Sequence, residues 1–122
     1  MPNSALPHMH SDLSTRILQH MPHQETFAKV GELLHLLGEE NRIRLFWILC
    51  HCEECVINLS AMMHMSSPAL CHHLKLLKSA GLILSRRDGK EVYYHAADTV
   101  EVKLLHRAVE TLLSVSCPKE QP

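Results

Sequence analysis

A helix followed at once by a basic hairpin is the feature that most limits what this chain can fold into. Ser66-Ser67-Pro68 is a strong helix start, because serine supplies an N-cap oxygen and proline is tolerated in the first helical turn. Gly81 predicts the end of that helix. Asp88-Gly89 between two β-prone runs then predicts a tight β-hairpin. A short apolar helix is expected just before Ser66, so the segment has the parts of a helix-turn-helix with a hairpin wing.

The rest of the chain shows helical apolar periodicity, and aromatic residues make up only 4% of it. The fold class expected is mainly α with a small β-hairpin. Asp98 and Glu101 are predicted to form a capping box at the start of the last helix. Four segments are predicted: an arm with a short helix capped by Ser11 or Ser14 (1–23), a winged helix-turn-helix (24–97), a dimerisation helix (98–116) and a tail (117–122).

The charge is balanced over the whole chain but not locally. Twelve Lys and Arg residues face 13 Asp and Glu residues, a net charge of -1. Between residues 66 and 90, however, five basic residues are opposed only by Asp88. A local basic surface on a neutral protein is the electrostatic footprint expected for phosphate binding. The partner predicted is double-stranded DNA.

Three motifs in order make the chain resemble the ArsR/SmtB family of winged-helix transcriptional repressors. The stretch 37–45 (LGEENRIRL) resembles the family's LGDPTRLRI, and 65–75 (MSSPALCHHLK) resembles LSQSTVSHHLK. AGLI at 80–83, RRDGK at 86–90 and VYY at 92–94 resemble AGLV…RREGR…VYY. The resemblance implies a homodimer that is bound to its operator in the apo state. A toxic metal, metalloid or sulfur oxidant would release it.

The recognition helix and the wing are predicted to divide the contacts with DNA. The start of a recognition helix meets base edges in the major groove, whereas basic side chains on the wing meet phosphates. His73 lies on the apolar stripe of the helix instead, so it is predicted to be a core histidine with its hydrogen bonds satisfied. The predicted DNA-contacting residues are Ser66, Ser67, Pro68, Ala69, His72, Lys75, Arg86, Arg87 and Lys90.

The last helix carries an apolar stripe too broad for one small domain to cover. A second copy of the chain is the simplest partner, so a homodimer is predicted to close through this helix and to bind an imperfect inverted repeat. The predicted interface residues are Leu104, Leu105, Ala108, Val109 and Leu112.

Three of the five cysteines, Cys50, Cys52 and Cys55, fall within six residues, and such spacing predicts metal or redox chemistry. Three thiolates suit a soft ion such as Zn(II), Cd(II), Cu(I) or As(III). The further ligand expected is either the sulfur of Cys117 or, for zinc, His51, His64 or a histidine of the arm. Cys55 matches the first cysteine of the family's third-helix thiolate site, but the other two positions hold Ile57 and Ser60. The family's terminal-helix zinc site is predicted to be absent, because only Asp98 of its ligands is matched.

A thiol-based alternative rests on a second resemblance. The persulfide- and oxidant-sensing branch of the family pairs a cysteine in an ILC context with a cysteine in the terminal helix. Ile48-Leu49-Cys50 matches the first, and Cys117 lies one helical turn beyond the expected second position.

Other classes of function find less support in the sequence. The motifs H-E-x-x-H, G-x-G-x-x-G and G-x-S-x-G do not occur, so no enzyme is predicted. A metal-buffering or protein-interaction module would account for the cysteines and histidines but not for the basic hairpin. No apolar run is long enough to cross a membrane and no secretory signal is visible, so a cytoplasmic protein is expected.

Overall fold

The computed structural model describes residues 6–114, which form six helices and one three-stranded antiparallel sheet. This confirms a mainly α winged helix-turn-helix. In chain order the elements are α1 (Asp12–Gln19), α2 (Gln24–Leu37), α3 (Glu40–His51), β1 (Glu54–Cys55), α4 (Val56–Met63), α5 (Ser67–Ser79), β2 (Ile83–Asp88), β3 (Glu91–Ala96) and α6 (Val100–Leu113).

The chain divides into two compact units, the first ending at Glu32 and the second beginning at Leu33. The first unit contains α1, the short helix expected in the arm. Ser11 is its N-cap residue, although the serine side chain makes no capping hydrogen bond. Leu13 and Ile17 are exposed on this helix.

The core of the second unit is built around α3. Leu45, Phe46 and Leu49 of this helix are almost completely buried. The side chain of Glu39 caps the helix by accepting a hydrogen bond from the Arg42 N–H at 3.1 Å. Helices α4, α5 and α6 and strand β3 all contact α3, so its position determines where the surface elements lie.

The helix-turn-helix consists of α4 and α5 with a short turn between them. His64 ends α4 in the left-handed conformation, with φ 54°. The side chain of Ser66 then accepts a hydrogen bond from the Ala69 N–H at 3.3 Å, which is the predicted N-cap of α5. Gly81 follows the end of α5 with φ 77°, a conformation that favours glycine.

The wing is the hairpin of β2 and β3, in which Ile83 pairs with Ala96 and Asp88 with Glu91. The loop of the hairpin is Gly89-Lys90, one residue later than an Asp88-Gly89 turn, and Gly89 adopts φ 66°, a conformation that favours glycine. The strand β1 was not predicted. Its two residues pair with Tyr93 and Tyr94 of β3 and give the sheet order β1-β3-β2. The segment before α4 is thereby joined to the wing.

The prediction of a capping box at Asp98 was wrong. The N-cap of α6 is Thr99, whose hydroxyl accepts a hydrogen bond from the Val102 N–H at 3.1 Å. Asp98 lies one residue earlier, and its carboxylate pairs with the Lys103 ammonium at 3.2 Å. Backbone geometry therefore selected the second of two adjacent capping residues.

Within residues 6–114, no helix is long and apolar enough to cross a bilayer.

Replacing Thr99 by Ala should destabilise the protein by about 1 kcal/mol, because an N–H at the start of α6 loses its acceptor. The measurement is the free energy of unfolding in urea. The matched control is Asp98→Ala, for which we expect a smaller loss because the ion pair of Asp98 is exposed. A larger loss of unfolding free energy for Asp98→Ala than for Thr99→Ala would instead support Asp98 as the cap of α6.

Candidate functional site

Helix α5 has one buried and one polar face. Leu70, Leu74 and Leu77 fix its inner side in the core. Lys78 near its end donates a hydrogen bond to the Ser85 hydroxyl of β2 at 2.8 Å, which connects the helix to the wing. The predicted contact residues of the helix, namely Ser66, Ser67, Pro68, Ala69, His72 and Lys75, are all exposed.

His73 lies between the core and this polar face, and its side chain is only 14% exposed. Its Nδ1 is 3.2 Å from Nη1 of Arg42, and the Nε–H of Arg42 donates to the Leu36 carbonyl at 2.7 Å. Burial lowers the pKa of His73 and thus favours its neutral form. The structure therefore places His73 as a partnered, largely buried histidine, as predicted.

The basic residues of the wing differ in their partners. Arg87 and Lys90 are exposed at the end of the hairpin. Arg86 makes a bidentate ion pair with Glu53, in which Nη2 and Nε donate to the two carboxylate oxygens at 2.6 and 2.9 Å. Its guanidinium also lies over the Tyr93 ring, 4.9 Å from the centroid. The charge of Arg86 is therefore largely neutralised by Glu53, whereas the side chains of Arg87 and Lys90 are exposed to solvent.

Glu53 connects the segment between α3 and α4 to the wing. Its Oε2 is also 3.1 Å from Nδ1 of His95 on β3. The hydrogen bond from Arg86 lowers the pKa of the Glu53 carboxyl, and the charges of Arg86 and His95 add to this effect. Glu53 therefore stays ionised, and the wing stays paired with it, below the usual pH range of a carboxyl group.

The predicted sensor cysteines lie in three different environments. Cys55 is 8% exposed and sits at the N-cap of α4. Cys52 is exposed, and its thiol donates to the Ile48 carbonyl at 3.5 Å. Cys50 is half-buried beside a small cleft that also borders His106. Among residues 6–114, no metal-compatible group of three ligand atoms includes these thiols. Cys117 lies outside the described residues.

Although the residue as a whole is exposed, partial desolvation of its sulfur raises the pKa of the Cys52 thiol, and the nearby negative charge of Glu54 adds to this effect. Metal binding and nucleophilic attack both need the thiolate. This environment therefore favours the protonated form of Cys52.

A group of imidazole and carboxylate atoms converges elsewhere, where α3 meets α6. His51 is the last residue of α3, and His106 and Glu110 lie one turn apart on α6. The two Nε2 atoms are 3.1 Å apart, and each is 3.0 Å from Oε1 of Glu110. The three side chains are 12 to 22% exposed. These are ligand types and separations that suit a metal ion.

Trp47 holds this group in place from the preceding turn of α3. Its Nε1–H donates to Oε1 of Glu110 at 3.0 Å, and its ring lies 4.4 Å from that of His51. The sequence associates His51 only with the nearby cysteines and does not reveal this group, because its members on α3 and α6 are more than 50 residues apart. The spacing of His106 and Glu110, four residues apart on a predicted helix, was the available signal.

The opposite side of α6 carries the predicted dimer interface. Leu104 and Leu112 are 64 and 85% exposed, and Ala108 lies between them. Leu105 and Val109 are partly buried, and Leu105 packs against the core. Leu104, Ala108 and Leu112 are thus the predicted interface residues that the chain itself leaves most exposed.

Comparison with protein families and curated proteins gives a consistent result. Residues 39–85 match the family model described as bacterial regulatory protein, arsR family. The transcriptional repressor SmtB of Mycobacterium tuberculosis is 38% identical over 63% of this chain, but the match covers only 57% of that repressor. A transcriptional repressor SmtB homolog of Synechocystis is 30% identical over 92% of this chain and 85% of its own length. A cadmium resistance regulatory protein CadC homolog of Staphylococcus aureus is 28% identical over 82% of this chain and 87% of its own length.

Solved structures share the fold. HlyU of Vibrio cholerae superposes with a TM-score of 0.69 at 28% identity, covering 75% of this chain and 99% of HlyU. A homodimeric winged helix-turn-helix domain of Mycobacterium bovis gives a TM-score of 0.65 at 23% identity, with coverages of 78 and 90%. The second likeness concerns the fold alone.

Replacing Arg86 by Gln should raise the pKa of Glu53, because the carboxylate loses its strongest hydrogen bond. The measurement is a carboxyl-carbon NMR titration. In the wild type the ion pair should stabilise the fold fully above the ordinary carboxyl pKa, and this contribution should fall away as the pH drops through the lowered pKa. Arg87→Gln is the matched control, and an equal shift in both variants would contradict the assignment.

Proposed function

This chain belongs to the ArsR/SmtB family of bacterial regulatory proteins, and from that membership we propose that it is a transcriptional repressor that binds operator DNA. One observation carries the proposal. The capped helix α5 presents an exposed polar face beside a hairpin with two exposed cations at its tip, Arg87 and Lys90. A helix of this kind enters the major groove, and a basic hairpin beside it contacts the backbone.

The contacts are divided between reading sequence and fixing position. Ser67 and His72 at the start and middle of α5 contact bases or sugars. Lys75, Arg87 and Lys90 bind phosphates, which orients the protein without specifying sequence. Arg86 has a different role, because its bidentate pair with Glu53 holds the wing against the segment before α4.

We propose that the DNA-binding form is a homodimer closed by α6. The apolar side chains exposed on this helix, above all Leu104 and Leu112, need a cover, and a second copy supplies an identical one. The Mycobacterium bovis domain that shares this fold is itself described as homodimeric. A two-fold axis then places two α5 helices on an imperfect inverted repeat.

We propose further that an ion releases the repressor from DNA. The relative named for cadmium resistance supports this proposal. A ligand acts in this way only through its different affinity for the two states, typically ~1–3 kcal/mol of coupling. Cys50, Cys52 and Cys55 are one candidate ligand set, for a soft ion such as Cd(II) or As(III). Their separate environments mean that the segment 50–55 would have to rearrange to bring three thiolates together.

Thiol oxidation is a second candidate for the inducing signal. This alternative pairs Cys50, which lies near the end of α3 beside a small cleft that also borders α6, with Cys117. Reversal by a reductant rather than by a chelator is the mark of this mechanism.

Lys75→Gln and Arg87→Gln should each weaken binding to all sequences and reduce the slope of log K against log salt by about 0.9. We expect a smaller change for Arg86→Gln, because Glu53 already neutralises that guanidinium. The measurement is fluorescence anisotropy with an operator that the wild-type protein selects from a random duplex library.

Lys29→Gln on α2 is the control for loss of an exposed lysine outside the proposed interface. Failure to select any duplex would contradict the repressor function. An unchanged slope for Lys75→Gln and Arg87→Gln would contradict the phosphate contacts.

The double variant Leu104→Glu, Leu112→Glu should be a folded monomer, because both side chains are exposed within one chain and a dimer would bury four glutamates together. Sedimentation equilibrium measures the association. Ile57→Glu on α4, where the native side chain is 67% exposed, is the matched control and should remain dimeric. A dimeric double variant would place the interface elsewhere.

A further inference from the structure

We propose that His51, His106 and Glu110 form a binding site for one divalent ion of the Zn(II) class, contained within a single protomer where α3 meets α6. The site deepens the proposed ion response, and it rests on the proposed function only for its effect on DNA binding. The ligand set is two imidazoles and one carboxylate, which differs from the thiolate set expected from the sequence.

The first support is the separation of the three atoms. The distances among Nε2 of His51, Nε2 of His106 and Oε1 of Glu110 are 3.0 to 3.1 Å. Bonds of about 2.0–2.1 Å to a tetrahedral Zn(II) place ligand atoms about 3.3 Å apart. The three atoms therefore need to move only a few tenths of an ångström to become ligands.

The second support is that protons satisfy this triangle poorly. If both Nε2 atoms carry a hydrogen directed at Glu110, the two N–H groups crowd each other at an N–N distance of 3.1 Å. If one Nε2 lacks its hydrogen, its lone pair faces the carboxylate oxygen at 3.0 Å. A cation in the centre attracts all three atoms at once, and neutral imidazole is the form that binds it.

The third support is the surrounding structure. His51 ends α3, where the helix dipole is negative and favours a cation. The Trp47 indole fixes the carboxylate of Glu110 by a hydrogen bond of 3.0 Å, as groups that orient metal ligands commonly do. His106 and Glu110, four residues apart on α6, lie on one side of that helix.

The donor chemistry selects the ion. Two imidazole nitrogens and one carboxylate oxygen suit Zn(II), Co(II) or Ni(II), whereas Cu(I) and As(III) prefer sulfur. One tetrahedral position remains for a water or a further protein donor. Such an ion would join α6 to α3, and through α3 to the helix-turn-helix that packs on it.

The chain carries its own reporter, because Trp47 is its single tryptophan and contacts Glu110. Zn(II) added to the full, reduced protein should change the tryptophan fluorescence and saturate at one ion per chain. Co(II) should give the visible bands of a tetrahedral site without the near-ultraviolet band of thiolate ligation. The Zn(II) affinity is measured by competition with a chromophoric chelator.

His106→Gln and Glu110→Gln should each lower the Zn(II) affinity by at least about 100-fold, since they remove a ligand rather than a group that only orients one. His35→Gln, which changes an exposed histidine of α2, is the matched control and should keep the wild-type affinity. Circular dichroism checks that each variant is folded. A misfolded His106→Gln is replaced by His51→Gln, for which the same loss is expected.

Wild-type affinity in a folded His106→Gln or Glu110→Gln would overturn the site. So would a sulfur band in the Co(II) spectrum that Cys52→Ser removes. DNA binding by the metal-free protein is measured separately by anisotropy. If DNA binding fails while the ion binds as described, the proposed function fails and the site stands. If the ligand variants bind Zn(II) like the wild type and DNA binding persists, only the site fails.

Discussion

The burial of α3 is the constraint on which the rest of the structure depends. Leu45, Phe46 and Leu49 lie at its centre with almost no exposed surface. Helices α4, α5 and α6 and strand β3 pack around it. A core of this density tolerates little displacement of one element without a response from its neighbours. The positions of α5, the wing and α6 therefore all depend on the packing around α3.

The sequence predicted the elements whose signals are local. The start of α5 depends on Ser66 and Pro68, and the wing depends on Asp88-Gly89, so each is specified by a few adjacent residues. Strand β1 escaped prediction because it exists only through its pairing with β3, about 40 residues away in the chain. The cap of α6 was misplaced by one residue because Asp98 and Thr99 both suit an N-cap, and only the backbone decides between them.

At the candidate site, too, the sequence did not predict contacts between residues that are far apart in the chain. The cysteines are close in sequence, but the chain turns between them: Cys50 lies in α3, Cys52 is its extended C-cap residue, and Cys55 enters the core. His51 and Glu110 are far apart in sequence, yet their side chains meet because α6 packs against α3. The close spacing of the cysteines in the sequence predicted thiolate chemistry. Which ligand atoms meet in space, however, depends on the tertiary packing.

The two sides of α6 have a thermodynamic consequence. One side carries His106 and Glu110 toward α3, and the other exposes Leu104 and Leu112, the centre of the proposed dimer contact. If α6 both binds the proposed ion and forms the proposed dimer, ion binding and self-association are linked equilibria, and such linkage is reciprocal. The apparent ion affinity then depends on protein concentration, and the dimer dissociation constant depends on free ion concentration. A cell that changes the amount of this protein would thereby change the ion level at which it responds.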